Sequence, residues 1–274
     1  MVVDAHAHVW QLARGDYAWL TPELGSIHRD FTIDDYAAVA TAHEVDRVVL
    51  VQAAPTAAET THLLRVASSA PIVGGVVGWA DLAGPAARRE LESRAADPVF
   101  KGVRPMLQDL PDPDWILQPA LRPSLVALAE LDLVLELLIN PMHLPYALTL
   151  LDRHADLRVV VCHGAKPDIG AGGFQPWAND IAALARNTNA ACKLSGLVNE
   201  AGPGWNVESL RPYVDHLLEC FGPDRVVWGS DWPVLTLAAT YTEWSTATDH
   251  LLADHPCTDR AKILGDNARR VYRL

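Results

Sequence analysis

The chain has 274 residues, half of them hydrophobic and a fifth charged, which is ordinary composition for a globular protein with one large core or two small ones. Its formal charge of −12 and the lack of a basic stripe argue against a nucleic-acid partner, and no apolar run is long enough to span a bilayer. Cys162, Cys192, Cys220 and Cys257 are widely spaced with no C-x-x-C pair, and the N-terminus carries no secretory pattern, so reduced thiols in a cytoplasmic protein are expected.

The first stretch, Val2 to Trp10, reads as a strand carrying Asp4, His6 and His8. Residues two apart on a strand share a face, so these three side chains are expected to project together. Two imidazoles at one strand end suit a zinc-like cation, with Asp4 orienting a ligand or supporting the structure from below. An aromatic-rich loop follows, with Trp10, Tyr17 and Trp19, and it is long enough to cover something. Thr32 then predicts a helix N-cap, with Asp34 and Asp35 in the first turn of a helix running to about His43.

From there strands and helices alternate. Strands are predicted over 45–52, 71–79, 100–105, 133–139, 157–163, 191–196 and 225–231, with intervening helices near 56–69, 84–95, 122–130, 145–154, 176–187 and 207–220. The strands are near-continuous apolar runs, the pattern of parallel strands buried on both faces. Eight such units in one chain predict a single-domain α/β protein, a (β/α)8 barrel over residues 1–274. An open doubly wound sheet is the alternative, but no glycine-rich phosphate loop follows the first strand.

A barrel of this kind carries its active site at the C-terminal strand ends. Those ends supply His6 and His8, Gln52, Trp79, Arg104, Glu136, His163, Ser195 and Asp231. Arg104 could hold a carbonyl or a product carboxylate, whereas Lys101, three residues earlier, reads as structural. Trp19, Trp79 and Trp232 are candidate walls against a ligand ring, Lys166 a candidate polar contact, and His28 the candidate from the long loop. Ser195 lacks a G-x-S-x-G elbow, which argues against a serine hydrolase. The acidic Asp109-to-Asp114 run, broken by prolines, reads as a turn.

Taken together, Asp4-Ala5-His6-Ala7-His8, Gly78-Trp79-Ala80-Asp81-Leu82, Lys101-Gly102-Val103-Arg104-Pro105, His163-Gly164-Ala165-Lys166-Pro167-Asp168, Lys193-Leu194-Ser195-Gly196-Leu197 and Gly229-Ser230-Asp231-Trp232-Pro233 resemble the amidohydrolase superfamily, most closely its sugar-acid lactonase branch. The resemblance implies a hydrolase in which His6, His8 and Asp231 surround one divalent metal, zinc by preference, or its vacant position, with Asp231 also taking a proton from the attacking water and with activity not bound to require the metal. It implies that His163 is either a ligand or a hydrogen-bond donor to the ester carbonyl. Many superfamily members have a histidine on the fifth strand, where this chain has Glu136, which argues against a second complete metal site. Glu136 is thus a candidate ligand, a partner of a ligand, or a buried hydrogen-bonded carboxylate. The function this implies is hydrolysis of a small sugar-acid lactone. Non-oxidative decarboxylation of an aromatic acid and ligand binding without turnover are the alternatives.

Overall fold

The computed structural model describes all residues from Met1 to Leu274. Eight parallel strands lie in sequential order: β1 (Val2–Ala7), β2 (Val45–Val51), β3 (Val73–Gly78), β4 (Phe100–Val103), β5 (Val134–Leu137), β6 (Arg158–Val161), β7 (Ala191–Leu194) and β8 (Val226–Trp228). The barrel closes between the loop after β8 and the first strand. There the His8 amide donates to Trp232 O at 2.7 Å and the Asp231 amide to His6 O at 2.8 Å. Closure thus runs through the histidine strand and the aspartate loop themselves.

The ring of helices follows the predicted rhythm. It comprises α1 (Ile33–Ala42), α2 (Ala57–Ser69), α3 (Ala87–Ala95), α4 (Arg122–Glu130), α5 (Leu144–Arg153), α6 (Trp177–Asn187), α7 (Leu197–Ala201), α8 (Val207–Phe221), α9 (Tyr241–Leu251), α10 (Cys257–Ala261) and α11 (Asn267–Tyr272). Thr32 caps α1 by accepting from the Asp35 amide, and the Asp35 side chain accepts the Thr32 amide in return, a capping box. The short helix α7, directly after β7, is not apparent in the sequence pattern. Its five residues are too few to show a helical period.

Two apolar cores follow from strands that are covered on both sides. The larger lies between strands and helices, whereas a smaller one fills the barrel with Val3, Val49, Val77, Val134, Val160 and Val227. Ala268, Val271 and Tyr272 of α11 pack into this inner core, so the C-terminal helix seals the end of the barrel away from the strands' C-termini. Lys101 lies at this end, its Nζ donating to Arg273 O at 3.0 Å. At Gly102 a Cβ would come within 2.1 Å of Val134 O, so the close approach of β4 to β5 requires glycine.

One expectation for β1 is corrected. The pairing with β2 shifts register between Asp4 and Ala7, and Asp4 and His6 have separate surroundings. Asp4 accepts from Tyr36 Oη on α1 at 3.0 Å and from Tyr241 Oη on α9 at 3.2 Å, whereas His6 meets Lys193 and Arg104 from neighbouring strands. The irregularity re-aims one side chain relative to the next, which simple alternation cannot anticipate. Asp4 also accepts the amides of His6 and Ser230, fastening the first strand to the loop after the last.

Candidate active site

Three imidazoles converge on one carboxylate at the C-terminal end of the barrel. Asp231 Oδ1 lies 3.3 Å from His8 Nε2, 3.5 Å from His6 Nε2 and 3.9 Å from His163 Nε2, and all four residues are buried. The Nε2 atoms of His6 and His8 are 3.2 Å apart. His163 follows β6 and Asp231 follows β8, and both adopt left-handed backbone conformations, with φ of 53° and 62°. Such conformations cost of the order of 1–3 kcal/mol each and persist where surrounding structure imposes them. Gly196, after β7, has φ +68°, and a Cβ there would lie 2.6 Å from His163 Nδ1, so glycine leaves the space for that ring.

The proton on His8 is fixed by its partner. Its Nδ1 is 2.7 Å from Val51 O, and a carbonyl can only accept, so Nδ1 carries a hydrogen. Its Nε2 stands 3.3 Å from Asp231 Oδ1, within hydrogen-bond reach of the carboxylate. Burial alone would raise the Asp231 carboxyl, but His163, His8 and Lys166 outweigh it and hold it at about 2, ionised at neutral pH. His163 is pushed down to about 3, chiefly by burial and against the opposing pull of Asp231, so it is neutral. Burial, reinforced by Lys193 and His163, also depresses His6 well below its ordinary value. His163 Nδ1 lies 2.9 Å from Ser195 Oγ, a hydroxyl able to donate or accept, so either His163 tautomer is supported.

This donor set fits a divalent cation. Ligands about 2.0–2.1 Å from a tetrahedral zinc stand roughly 3.4 Å apart, and the four contacts above span 3.2–3.9 Å. The set belongs to His6, His8, His163 and Asp231. Glu136 lies beside His6 but is otherwise engaged: it accepts from Lys193 Nζ at 2.7 Å, Tyr272 Oη at 2.6 Å and Cys162 Sγ at 3.3 Å. Lys193 in turn places Nζ 3.0 Å from His6 Nδ1. The carboxylate, ammonium and imidazole form one buried chain, and Glu136 acts on the cluster through Lys193. Both Glu136 and Lys193 are wholly buried. The sequence reading gave Lys193 no role. A lysine within one apolar strand and a glutamate within another were the available signal, since buried charges are rarely left unpaired.

A cleft of about 280 Å³ opens above these groups, lined by His8, His163 and Asp231 with Arg104, Lys166 and Trp19. Arg104 is 3 % exposed; one amino nitrogen donates to Gln52 O, the other stands 3.3 Å from His6 Nε2, and its Nε has no partner. Lys166 is 3.6 Å from Glu200, at the edge of the cleft. Trp79 lines an adjoining cavity of about 410 Å³, which also includes Trp19.

Trp232 and His28 stand apart from both cavities. Trp232 is 5 % exposed and packs edge-on against Phe31 and Tyr36, with centroids 5.2 and 5.5 Å away. It is a core side chain, because its backbone closes the barrel while its ring turns to the helix layer. His28 ends a 3-10 turn of the long loop. Met106, Gln108, Leu138, Val234 and Leu237 also line the cleft, and isolated residues of these types carry no pattern that marks them in the sequence.

The sequence profile of the amidohydrolase family matches residues 3–274. The chain belongs to the amidohydrolase family. This amidohydrolase is 41% identical over 279 residues to an L-fucono-1,5-lactonase of Burkholderia ambifaria, covering 99% of this chain and 95% of the relative. It is 32% identical to an L-fucono-1,5-lactonase of Burkholderia multivorans, with 99% and 96% coverage. An amidohydrolase from Burkholderia multivorans, solved with bound zinc, superposes with a TM-score of 0.93 at 30% identity, over 100% of this chain and 99% of that one.

Proposed function

We propose that this amidohydrolase opens a small sugar-acid lactone with water. The observation that carries the reading is Asp231: a buried carboxylate, held ionised, at the foot of a cleft and within reach of three imidazoles. Likeness to two L-fucono-1,5-lactonases supports the substrate class. In the proposed reaction Asp231 takes a proton from water as the oxygen attacks the lactone carbonyl. The carbonyl oxygen becomes an oxyanion and is met by Arg104, whose Nε is unpartnered, and by neutral His163 as a donor. The ring C–O bond breaks, and Asp231 returns the proton to the departing alkoxide. The product is an open hydroxy acid, whose ionisation at neutral pH releases one proton per turnover.

His6, His163 and Asp231 form a group able to hold one divalent metal, zinc by their donor types, and His8 Nε2, 3.2 Å from His6 Nε2 and 3.3 Å from Asp231 Oδ1, would be the fourth ligand. Such an ion, when bound, lowers the pKa of water to about 7. Trp19 supplies a ring beside the cleft, and its Nε1 donates to Ala53 O at 2.6 Å, which fixes it in place. No helix is long and apolar enough to cross a membrane, and all four cysteines are free, which supports a reducing, cytoplasmic setting.

The test is proton release from a panel of aldonolactones, with spontaneous hydrolysis subtracted. Turnover of L-fucono-, L-galactono- or L-rhamnono-type lactones is expected. No turnover of any, with carbon dioxide released from a hydroxylated aromatic acid, would replace the reading with a decarboxylase.

A further inference from the structure

The larger, 410 Å³ cavity beside the catalytic cleft differs from it in character. The two share Trp19, Met106 and Asp109, so they are adjoining chambers with a common sill. Beyond that sill the walls are Trp79, Leu82, Leu110 and Trp115. Its charged side chains are Asp81 and Asp109; it has no lysine or arginine. Trp19 keeps its indole N–H on Ala53 O and so offers ring surface to both chambers.

We infer that this side chamber binds an apolar substituent on the lactone ring, so that the enzyme also hydrolyses lactones bearing an alkyl tail. This rests on the lactonase reading above. A tail ending in a carboxylate would meet two aspartates and no cation. A second polyhydroxylated ring would leave most of its hydroxyls unpaired against indole and aliphatic walls, and an unpaired buried hydroxyl costs more than a hydrogen bond returns. An alkyl chain has neither problem. It covers three partly exposed tryptophans, and Met106 adapts the sill to its width. The reaction at the carbonyl is unchanged: water adds, the ring C–O bond to the carbonyl carbon breaks, and the tail stays on the hydroxyl-bearing carbon of the single hydroxy-acid product.

The experiment is a series of 5-alkyl δ-lactones, from δ-hexalactone to δ-dodecalactone, assayed by proton release beside an aldonolactone that the enzyme turns over. Each methylene buried in the side chamber is worth up to about fourfold in kcat/KM. A rise of at least about tenfold between δ-hexalactone and δ-decalactone is therefore expected. Trp115→Ala and Leu110→Glu alter walls of the side chamber outside the catalytic cleft. Each should flatten the series while leaving aldonolactone turnover within about twofold, which also reports that the variant is folded. A flat wild-type series with aldonolactone turnover intact overturns the side chamber and leaves the lactonase reading standing. A slope that survives in both folded variants overturns it as well. Failure of every lactone, aldonolactones included, overturns the reading on which both rest.

Discussion

The ion pair beneath His6 gives the sharpest prediction about stability. Lys193 and Glu136 are completely buried, 2.7 Å apart, with Glu136 also accepting from Tyr272 of α11. Replacing Lys193 by Met keeps the volume but leaves the Glu136 carboxylate buried without its cation. Breaking one partner of such a pair costs about 3–5 kcal/mol. At roughly 2 °C per kcal/mol for a domain of this size, Tm should fall by about 6–10 °C. Glu136→Leu should cost a similar amount, because the ammonium is then stranded. The double variant Lys193→Met/Glu136→Leu removes both charges and should regain most of the loss, as replacing a buried pair by apolar groups is often neutral. Scanning calorimetry on the four proteins measures the cycle. A single variant that shifts Tm by less than about 2 °C, or a double variant whose loss is the sum of the singles, would refute the argument that the two charges are buried as a coupled pair.

A carboxylate base works deprotonated, so activity falls as pH drops through its pKa. Asp231 at about 2 and His163 at about 3 place both titrations well below pH 5. In the chelator-treated enzyme, where no metal-bound water with a pKa of about 7 intervenes, the kcat/KM profile should therefore be flat between about pH 5 and 8, and activity falling on acidification through that range would contradict an ionised Asp231 beside a neutral His163. Metal removal gives a further prediction. Lys193 Nζ and Arg104 Nη1 stand 3.0 and 3.3 Å from the two ring nitrogens of His6, so a dication there is held against two positive charges. Dialysis against a chelator should strip it while leaving at least about a tenth of the activity, because Asp231 remains as the base. Complete loss, reversed by zinc, would place the metal at the centre of water activation.

The fold was legible because burial on both faces leaves long apolar runs, and eight of them punctuated by helix-period stretches admit few architectures. Strand ends were also legible: His8, Arg104, His163 and Asp231 follow apolar runs and do line one cleft. What misled was local geometry. The register shift in β1 sends Asp4 and His6 to different partners, and a sequence alternates without showing where a strand slips. Trp232 looked like a wall of the site because it adjoins Asp231, yet the left-handed turn at Asp231 separates the two side chains. The 107–121 loop, of which the sequence shows only the acidic turn from Asp109 to Asp114, supplies Leu110 and Trp115 to the side chamber. Its apolar residues have no period, so nothing in the sequence joins them to Trp19 and Trp79.

The central claim is that Asp231 activates the water. Asparagine keeps the size of the side chain and tolerates the left-handed backbone at this position, so Asp231→Asn tests the chemistry without adding strain. The measurement is kcat/KM for the best aldonolactone, wild type against variant, with calorimetry confirming that the variant is folded. The account predicts a loss of about 10²–10⁴-fold. A folded variant within about tenfold of wild type would show that another group carries the proton.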